Sequence, residues 1–500
     1  MKIGFLPLDT RPCTYDMPVQ LARQARAEIL LPPQGIMAHY KDESDTAALT
    51  VWLEQIASEC DALVVSVEQL LYGGLIQSRQ TLVGLEERMK RLQVLSRIKR
   101  KNPEIVIYLS NVLMRTSIST LDSETLVWWE KINNYSKLYY REKAKNDVDA
   151  AQKCRLLEQE IPADVLNTFF TARSINHAIN RASIQLVADR IVEELFILQE
   201  DCAPEGVQRF EQEVLEKDIE QLGVSERVSM FNGTDEAGAE LLQRAICPEG
   251  NELEIVWLGK QHDFVAKYED RPFYENLEGH MKALSLREKK GAQSVLFILT
   301  PKQNQREASF PRAEAKTDYT REELDSFSRK IEEHAKEGRH CYLLDLDFTN
   351  GGNSEMLACL AQVMPISELW GYSAWNTASN SLGTLLAQVL ASKDGNDEKN
   401  QAFTAERILD DALYQELVRS AVKNRIEAEG EDIYNIHDIS RTERYLKEEF
   451  EVISPLLKTI FGKKIPSFEV KLRWPRLFEV AVFTDLGGGP VYGEKIACCS

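Results

Sequence analysis

Short apolar runs recur along the chain and alternate with amphipathic stretches. Several runs, such as 61–67 and 294–300, are apolar throughout, which is typical of strands that are buried on both faces. Between the runs lie helical patterns such as 83–100, where apolar residues recur at nearly helical spacing. Strand alternating with helix predicts a parallel β-sheet. The candidate strands are 2–8, 28–33, 61–67, 104–110, 194–199, 227–232, 254–259, 294–300, 341–348 and 368–375.

Two α/β architectures accommodate these strands. We expect a (β/α)8-like barrel with extra strands and a helical C-terminal region. The alternative is two doubly wound parallel sheets that divide near residue 245. The candidate strands fit two sheets as readily as one elaborated barrel, so the pattern leaves both architectures open.

Two departures from the alternation suggest the domain organisation. Helical sequence rich in aromatic and charged residues forms an insertion near 111–190. In the last part of the chain, charge-rich helical sequence is followed by a β-like run at 467–483 that breaks at Pro475. We therefore predict an α/β catalytic-type domain over 1–390. A mainly helical C-terminal region with a returning β element follows over 391–500.

Composition and charge narrow the range of partners. The formal net charge of −19 opposes binding to a phosphate backbone, so we expect no nucleic acid partner. No apolar run approaches the length of about 18 residues that a membrane span needs, so we expect no membrane partner. The N-terminal run is too short for a signal peptide, and the nine cysteines show no C-x-x-C pair, which suits the cytoplasm. We expect no cofactor and no metal, and the oligomeric state stays open.

Polar side chains cluster directly after the predicted strands. Ligands of parallel α/β folds bind beyond the carboxyl ends of the strands, so we expect these side chains to line one pocket. Carboxylates, amides, arginines and an aromatic face suit a small polyhydroxylated molecule or an oligosaccharide. The candidate residues are Asp9, Arg11, Glu68, Arg79, Arg115, Glu200, Asp201, Asp235, Glu236, Asp345, Trp375, Asn376 and Asn380.

The late segment RWPRLFEV, residues 473–480, has two interpretations. Its charges are typical of an edge strand that avoids pairing with another chain. Alternatively, the segment returns to the rim of the pocket and contributes Trp474 and Arg476 to ligand binding. The sequence leaves both interpretations open.

A series of short motifs runs essentially from one end of the chain to the other. In order, the motifs are LPLDTRPC, YGGLIQSR, MR, ED, NGTDEAG, NGGN, WNTASNSLG and WPRLFEV. This series resembles that of the bacterial domain-of-unknown-function family 4127. The chain has Glu68 and Glu200 where the family pattern leads us to expect aspartate, which keeps the carboxylate but lengthens its reach. The resemblance indicates a lineage and implies no reaction.

The adjacent acids Asp235 and Glu236 have a structural and a catalytic interpretation. They follow a strand and precede a helix, so they are suited to cap that helix. A strand that ends in Gly-x-Asp-Glu is also similar to the acid motif of the family 20 β-hexosaminidases. That resemblance implies that Glu236 is the general acid and that Asp235 orients an acetamido group of the substrate.

The leading hypothesis is a glycoside hydrolase-like enzyme that acts on a sugar or amino-sugar glycoside. Glycosidic cleavage needs a carboxylic acid and a second group that serves as nucleophile or base. Glu236, Asp235 and Glu200 provide such groups. Two alternatives stay open: a non-catalytic carbohydrate-binding protein, and a metal-dependent hydrolase or lyase that acts on a sugar acid. The metal-dependent enzyme would use Asp9, Glu200, Asp345 and Asp347.

Overall fold

Two parallel β-sheets form the framework of the computed structural model, which describes residues 1–37, 39–80, 83–308, 316–485, 487 and 491. The first sheet has six strands in the order β2-β1-β3-β4-β5-β6, and every pair is parallel. These strands are β1 (Lys2–Leu6), β2 (Glu28–Leu30), β3 (Ala62–Ser66), β4 (Val106–Leu113), β5 (Glu194–Gln199) and β6 (Val228–Asn232).

The second sheet is formed by the following part of the chain. Its five strands have the order β13-β11-β9-β7-β8, again with parallel pairing. They are β7 (Glu252–Trp257), β8 (Arg287–Glu288), β9 (Ser294–Leu299), β11 (His340–Asp345) and β13 (Gly371–Ser373). Two short pairs complete the strands: β10 (Arg306–Glu307) with β12 (Phe348–Thr349), and β14 (Phe468–Lys471) with β15 (Ala481–Thr484).

Helices connect the strands and continue beyond the second sheet. In the first half they are α1 (Asp16–Gln24), α2 (Thr46–Ile56), α3 (Val67–Tyr72), α4 (Leu85–Lys101), α5 (Ser123–Lys145), α6 (Val148–Glu160), α7 (Ala163–Ala188), α8 (Gln208–Gln221) and α9 (Ala237–Ile246). In the second half they are α10 (Phe273–Ala283), α11 (Arg321–Lys336), α12 (Ser354–Val363), α13 (Ala378–Ala391), α14 (Glu398–Arg407), α15 (Arg419–Ala428), α16 (Ile439–Val452) and α17 (Ser454–Phe461). A π-helix, Ile408–Val418, joins α14 to α15. None of the helices in the described ranges is long and apolar enough to cross a membrane.

Helices cover both faces of each sheet. In the first sheet, Leu63 packs on the side of α2, α4 and α7, whereas Val64 packs with α1 and α9. In the second sheet, Leu343 packs in the core that contains α11 and α12, whereas Leu344 packs with α10 and α13. This layering is consistent with two doubly wound sheets.

The predicted α/β class with parallel sheets is confirmed, but the structure does not show the closed barrel that we expected. The chain leaves the first sheet after β6, passes through α9 and enters the second sheet at β7. There, β7 pairs with β8 and β9 and not with β6, so the six-stranded and five-stranded sheets are separate. The division falls between Asn232 and Glu252, a range that contains the alternative boundary at residue 245.

The helices that follow the second sheet share its core. Apolar side chains of the π-helix and of α15 to α17 pack in one cluster with Val295 and Leu343. Helices α5 to α7 occupy the connection between β4 and β5, and apolar residues of all three form a cluster of their own. The division at residue 390 stays a prediction.

The burial of both faces of β11 can be tested with two neighbouring substitutions. Leu343→Ala and Leu344→Ala each remove a fully buried side chain from opposite faces. We expect each to lower the free energy of unfolding by about 2–5 kcal/mol, since each leaves a cavity. The control is Leu156→Ala, which changes a side chain that is 53% exposed and should change that free energy by about 0.5 kcal/mol or less. Chemical denaturation measures all three, and a Leu344→Ala effect as small as the control's would contradict burial on that face.

Candidate functional site

A cavity of about 470 Å³ lies beyond the carboxyl ends of the first-sheet strands. From this sheet, Asp9 and Arg11 follow β1, Glu200 and Asp201 follow β5, and Asp235 follows β6. The carboxyl ends of parallel strands meet at one edge of a sheet, so these residues lie side by side although they are distant in sequence. Together they form the first wall of the cavity.

The second half of the chain forms the facing part of the cavity. Tyr268 and Glu269 come from the segment after β7, and Glu307 comes from β10. Asn376 and Asn380 lie between β13 and the first turn of α13. The cavity therefore collects side chains from both sheets.

The region after α14 completes the lining. Arg419 and Lys423 of α15 reach the cavity, as do Trp474, Arg476 and Phe478 of the late segment. That segment lies between β14 and β15, and the contribution of Trp474 and Arg476 to ligand binding stays a prediction.

Arg11 is the centre of the electrostatic network on the first wall. Its Nε and Nη2 donate to the carboxylate of Asp9, at 2.7 to 3.0 Å. Its Nη1 and Nη2 donate to the two oxygens of Asp235, at 3.0 and 2.6 Å. One guanidinium thus binds two carboxylates, and all three side chains are buried.

The two carboxylates respond differently to the shared cation. Burial alone would raise the pKa of Asp9, but Arg11 outweighs it and lowers the pKa of that carboxyl. For Asp235, burial together with the charge of Asp9 outweighs Arg11, so its pKa is raised. A single positive charge does not fully compensate two buried acids.

Glu200 lies between two further arginines. Its Oε1 accepts a hydrogen bond from Nη2 of Arg79 and lies 3.4 Å from Nε of Arg115. Burial alone would raise the pKa of Glu200, but Arg115 and Arg79 outweigh it and lower that pKa. Its other oxygen, Oε2, is buried and accepts no hydrogen bond from the described residues. The two arginines therefore hold this carboxylate through one oxygen, Oε1.

The turn after β6 directs its two acids to opposite sides. Oδ1 of Asn380 accepts hydrogen bonds from the backbone N–H groups of Thr234 and Asp235, both at 3.1 Å. Asp235 lines the cavity, whereas Glu236 does not and is only 1% exposed. Oε2 of Glu236 accepts from the N–H of Thr234 at 2.8 Å. Burial raises the pKa of Glu236 to about 8, but its carboxyl lies behind the turn.

Glu269 and Glu307 line the cavity although the sequence analysis did not select them. Oε1 of Glu269 accepts from the N–H of Ser379 at 2.6 Å, and burial raises the pKa of Glu269 to about 7. Glu307 accepts from the hydroxyl of Tyr268 at 2.7 Å and from Nδ2 of Asn350 at 2.8 Å. Glu269 follows β7 only after a long loop, and Glu307 belongs to a two-residue strand without an apolar run. The strand-end rule therefore gives no signal for either residue.

Besides Glu236, three predicted pocket residues do not line the cavity. Glu68 is buried below the strand ends, where Oε1 accepts from Nδ2 of Asn111 at 2.9 Å and from the N–H of Val112 at 2.8 Å. Trp375 packs in an apolar cluster with residues of α1, α9, α13 and α14, so it is not a platform for a sugar ring. Asp345 does not line the cavity either.

Asp345 and Asp347 organise the loop after β11. Oδ2 of Asp345 accepts from the N–H of Asn353 at 2.7 Å and from the hydroxyl of Tyr372 at 3.0 Å. Asp347 accepts from Thr317 at 2.6 Å. Neither residue lines the cavity that Asp9 and Glu200 line, so the four acids of the metal-dependent alternative do not form one group. The remaining predicted residues, which do line the cavity, are Asp9, Arg11, Arg79, Arg115, Glu200, Asp201, Asp235, Asn376, Asn380, Trp474 and Arg476.

The late segment is joined to the first wall by its aromatic side chain. Nε1 of Trp474 donates to the hydroxyl of Thr10 at 3.0 Å, and the guanidinium of Arg11 lies 5.4 Å from the ring centroid. Arg476 lies over the same ring at 4.8 Å and donates to the carboxylate of Glu479 at 2.8 Å. Trp474 therefore provides an aromatic surface next to the charged network.

Comparison with family models gives one match along nearly the whole chain. The model described as "Protein of unknown function (DUF4127)" matches residues 3–483, which confirms the resemblance based on the motifs. Comparison with curated proteins and with solved structures gives no match.

The burial of Glu68 predicts a specific effect of pH on stability. Burial raises the pKa of Glu68 to about 7 from an ordinary value of 4.5. The folded state therefore retains this proton to higher pH than the unfolded state does, and stability is lost as the pH rises between these values. Glu68→Gln keeps an acceptor for Asn111 and Val112 but cannot ionise, so at about pH 8 we expect it to be more stable than the wild type by about 1–3 kcal/mol. Unfolding curves over a pH series measure this difference, and parallel curves for the two proteins would contradict it.

Proposed function

The chain belongs to the DUF4127 family, and we propose that it is a glycoside hydrolase-like enzyme that acts on a sugar or amino-sugar glycoside. The reaction would take place in the cavity between the two sheets. Seven described cysteines are free thiols, which supports a reducing, cytoplasmic setting as part of the proposal.

One observation carries the proposal: the pKa values of two carboxyl groups in the same cavity are shifted in opposite directions. Arg115 and Arg79 keep Glu200 ionised, whereas burial raises the pKa of Glu269 to about 7. Glycoside cleavage uses one carboxylate and one carboxylic acid, and the opposite shifts of these two pKa values favour that division of roles.

The two groups would have distinct roles. Glu269 would donate a proton to the glycosidic oxygen as the bond to the leaving group breaks. The carboxylate of Glu200, which lines the cavity, would attack the anomeric carbon or remove a proton from a water molecule. The proton-donor role that the sequence analysis gave to Glu236 thus moves to Glu269, since Glu269 lines the cavity and Glu236 does not.

The rest of the cavity supports a sugar ligand. The amides of Asn376 and Asn380 line the cavity and are suited to bind hydroxyl groups. Arg419 bonds to the neutral amide of Gln415 at 3.0 Å, so its charge is suited to an acidic substituent on the sugar. Arg11 would hold Asp235 in a fixed position against the ligand.

A second candidate function is carbohydrate binding without turnover. It is favoured by the hydrogen bonds of Glu269, whose Oε1 accepts from Ser379 at 2.6 Å and whose Oε2 accepts from Nδ2 of Asn276 at 3.0 Å. Both oxygens are therefore engaged in bonds that hold the side chain in place. A protein of this kind would bind sugars with unchanged affinity after Glu269→Gln and would show no turnover in either form.

Glutamine substitutions test the proposed catalytic pair. Glu200→Gln and Glu269→Gln keep the size of each side chain but remove the charge of one and the transferable proton of the other. We expect each to lower kcat by about 10²–10⁴-fold while the melting temperature changes little. The control is Glu307→Gln, which changes a third glutamate of the cavity and should retain most of the rate. The assay is turnover of aryl glycosides, including N-acetylhexosaminides and uronides; full activity of both variants would exclude the pair.

The pH profile tests the same assignment independently. Glu200 must be ionised, and its pKa lies below the ordinary value of 4.5, so activity should rise with pH in the acidic range. Glu269 must be protonated, so kcat/KM should fall as the pH rises above about 7. The residual activity of Glu269→Gln should lack this basic limb. A basic limb that persists unchanged in Glu269→Gln would assign the proton donor to another residue.

A further inference from the structure

Three potential metal ligands lie together behind the turn that carries Asp235. Glu236 directly precedes α9, Glu240 lies one helical turn further, and His280 lies in the last turn of α10. One ligand atom from each side chain lies within 4.8 Å of the other two. The three residues are 0 to 1% exposed, so solvent does not reach the cluster directly.

Two carboxylate oxygens of this cluster are buried without a hydrogen-bond partner among the described residues. They are Oε1 of Glu236 and Oε2 of Glu240. Buried polar atoms are usually bonded, and a carboxylate that lacks partners in an apolar surrounding is costly. Both oxygens belong to side chains that lie near the same imidazole, so a bound cation would satisfy them together.

The imidazole of His280 is oriented as in many metal sites. Its Nε2 lies 3.2 Å from the carbonyl oxygen of Asn232, which accepts only if Nε2 carries the proton. Its Nδ1 lies 2.7 Å from Oε1 of Glu240. Two lone pairs would repel at that distance, so a proton lies between these atoms when no ion is bound, and a metal ion would take its place at Nδ1. A carbonyl that fixes the far nitrogen of a ligating histidine is a common outer partner of metal sites.

A proton alone explains only part of the cluster. It accounts for the short distance between Nδ1 of His280 and Oε1 of Glu240. It leaves Oε1 of Glu236 and Oε2 of Glu240 without hydrogen-bond partners among the described residues. A cation accounts for all of these atoms at once, since two carboxylates balance its double charge. We propose that Glu236, Glu240 and His280 bind a divalent transition-metal ion of the zinc class.

The donor set selects this class of ion. Zn²⁺ binds imidazole nitrogen and carboxylate oxygen, whereas Ca²⁺ and Mg²⁺ are bound by oxygen ligands. The three side chains do not line the cavity, so the ion has a structural role and does not contact the substrate.

The ion would stabilise the turn that forms the cavity wall. Oε2 of Glu236 accepts from the N–H of Thr234, and a Cβ on Gly233 would lie 1.7 Å from Oε1 of Glu236. Gly233 has a φ of +124° and itself lines the cavity. Gly233 therefore lies between the cluster and the cavity. Because the side chain of Glu236 contacts the turn at Thr234 and Gly233, its position affects that of the turn.

Metal binding can be measured without any assay of activity. The full-length protein is stripped with a chelator and titrated with Zn²⁺ in competition with a chromophoric chelator. We expect about one equivalent of tight binding per chain, a higher melting temperature with Zn²⁺, and at least about 100-fold weaker binding in Glu240→Gln and His280→Gln. Glu68→Gln, another fully buried glutamate that lies outside the cluster, is the matched control and should bind as the wild type does.

Cobalt substitution keeps the test decisive if the buried variants fail to fold. Co²⁺ bound to the wild type should give visible absorption bands without a thiolate charge-transfer band, since the proposed ligands include no cysteine. A thiolate band would place the ion at cysteine residues and overturn the proposal. Wild-type affinity no tighter than that of folded Glu240→Gln would overturn it as well.

Discussion

The candidate site depends on the burial of Arg11 between Asp9 and Asp235. A buried guanidinium is costly unless carboxylates surround it, and here two of them receive its hydrogen bonds. Asp9 follows β1 and Asp235 follows β6, so this interaction joins two strand ends with three strands between them. The planar guanidinium donates to two acids at once, a geometry that the ammonium of lysine does not reproduce. The position of the first wall of the cavity thus follows from a single side chain.

The residues of this wall can be predicted from the sequence because each follows directly after an apolar run. A buried parallel strand reads as an apolar run, and the polar residue that follows it lies at the carboxyl end of the sheet. Asp9, Glu200 and Asp235 all satisfy that rule and all line the cavity. The division into two sheets depends instead on pairing between distant strands. Both β6 and β7 are short strands, and nothing in the sequence of β7 indicates that it pairs with β9 and not with β6.

Other features of the site depend on contacts that the strand pattern does not encode. Glu269 reaches the cavity from a loop, where apolar periodicity gives no information. Trp375 follows a strand as the rule requires, but apolar residues of four helices surround it. Glu236 is next to Asp235 in sequence, yet the turn that begins at Gly233 places the two carboxyl groups on opposite sides. Tertiary packing therefore decides which residues of a correctly predicted strand end face the cavity.

The same turn connects two chemically different environments. On one side, Asp235 belongs to the charged network of the cavity, where Arg11 and Asn376 donate to its carboxylate. On the other side, Glu236 belongs to a fully buried cluster with Glu240 and His280. The two acids share a backbone segment in which Asn380 accepts hydrogen bonds from the N–H groups of Thr234 and Asp235. The paired Asp235 and Glu236 thus connect the wall of the cavity with a buried cluster through one short turn.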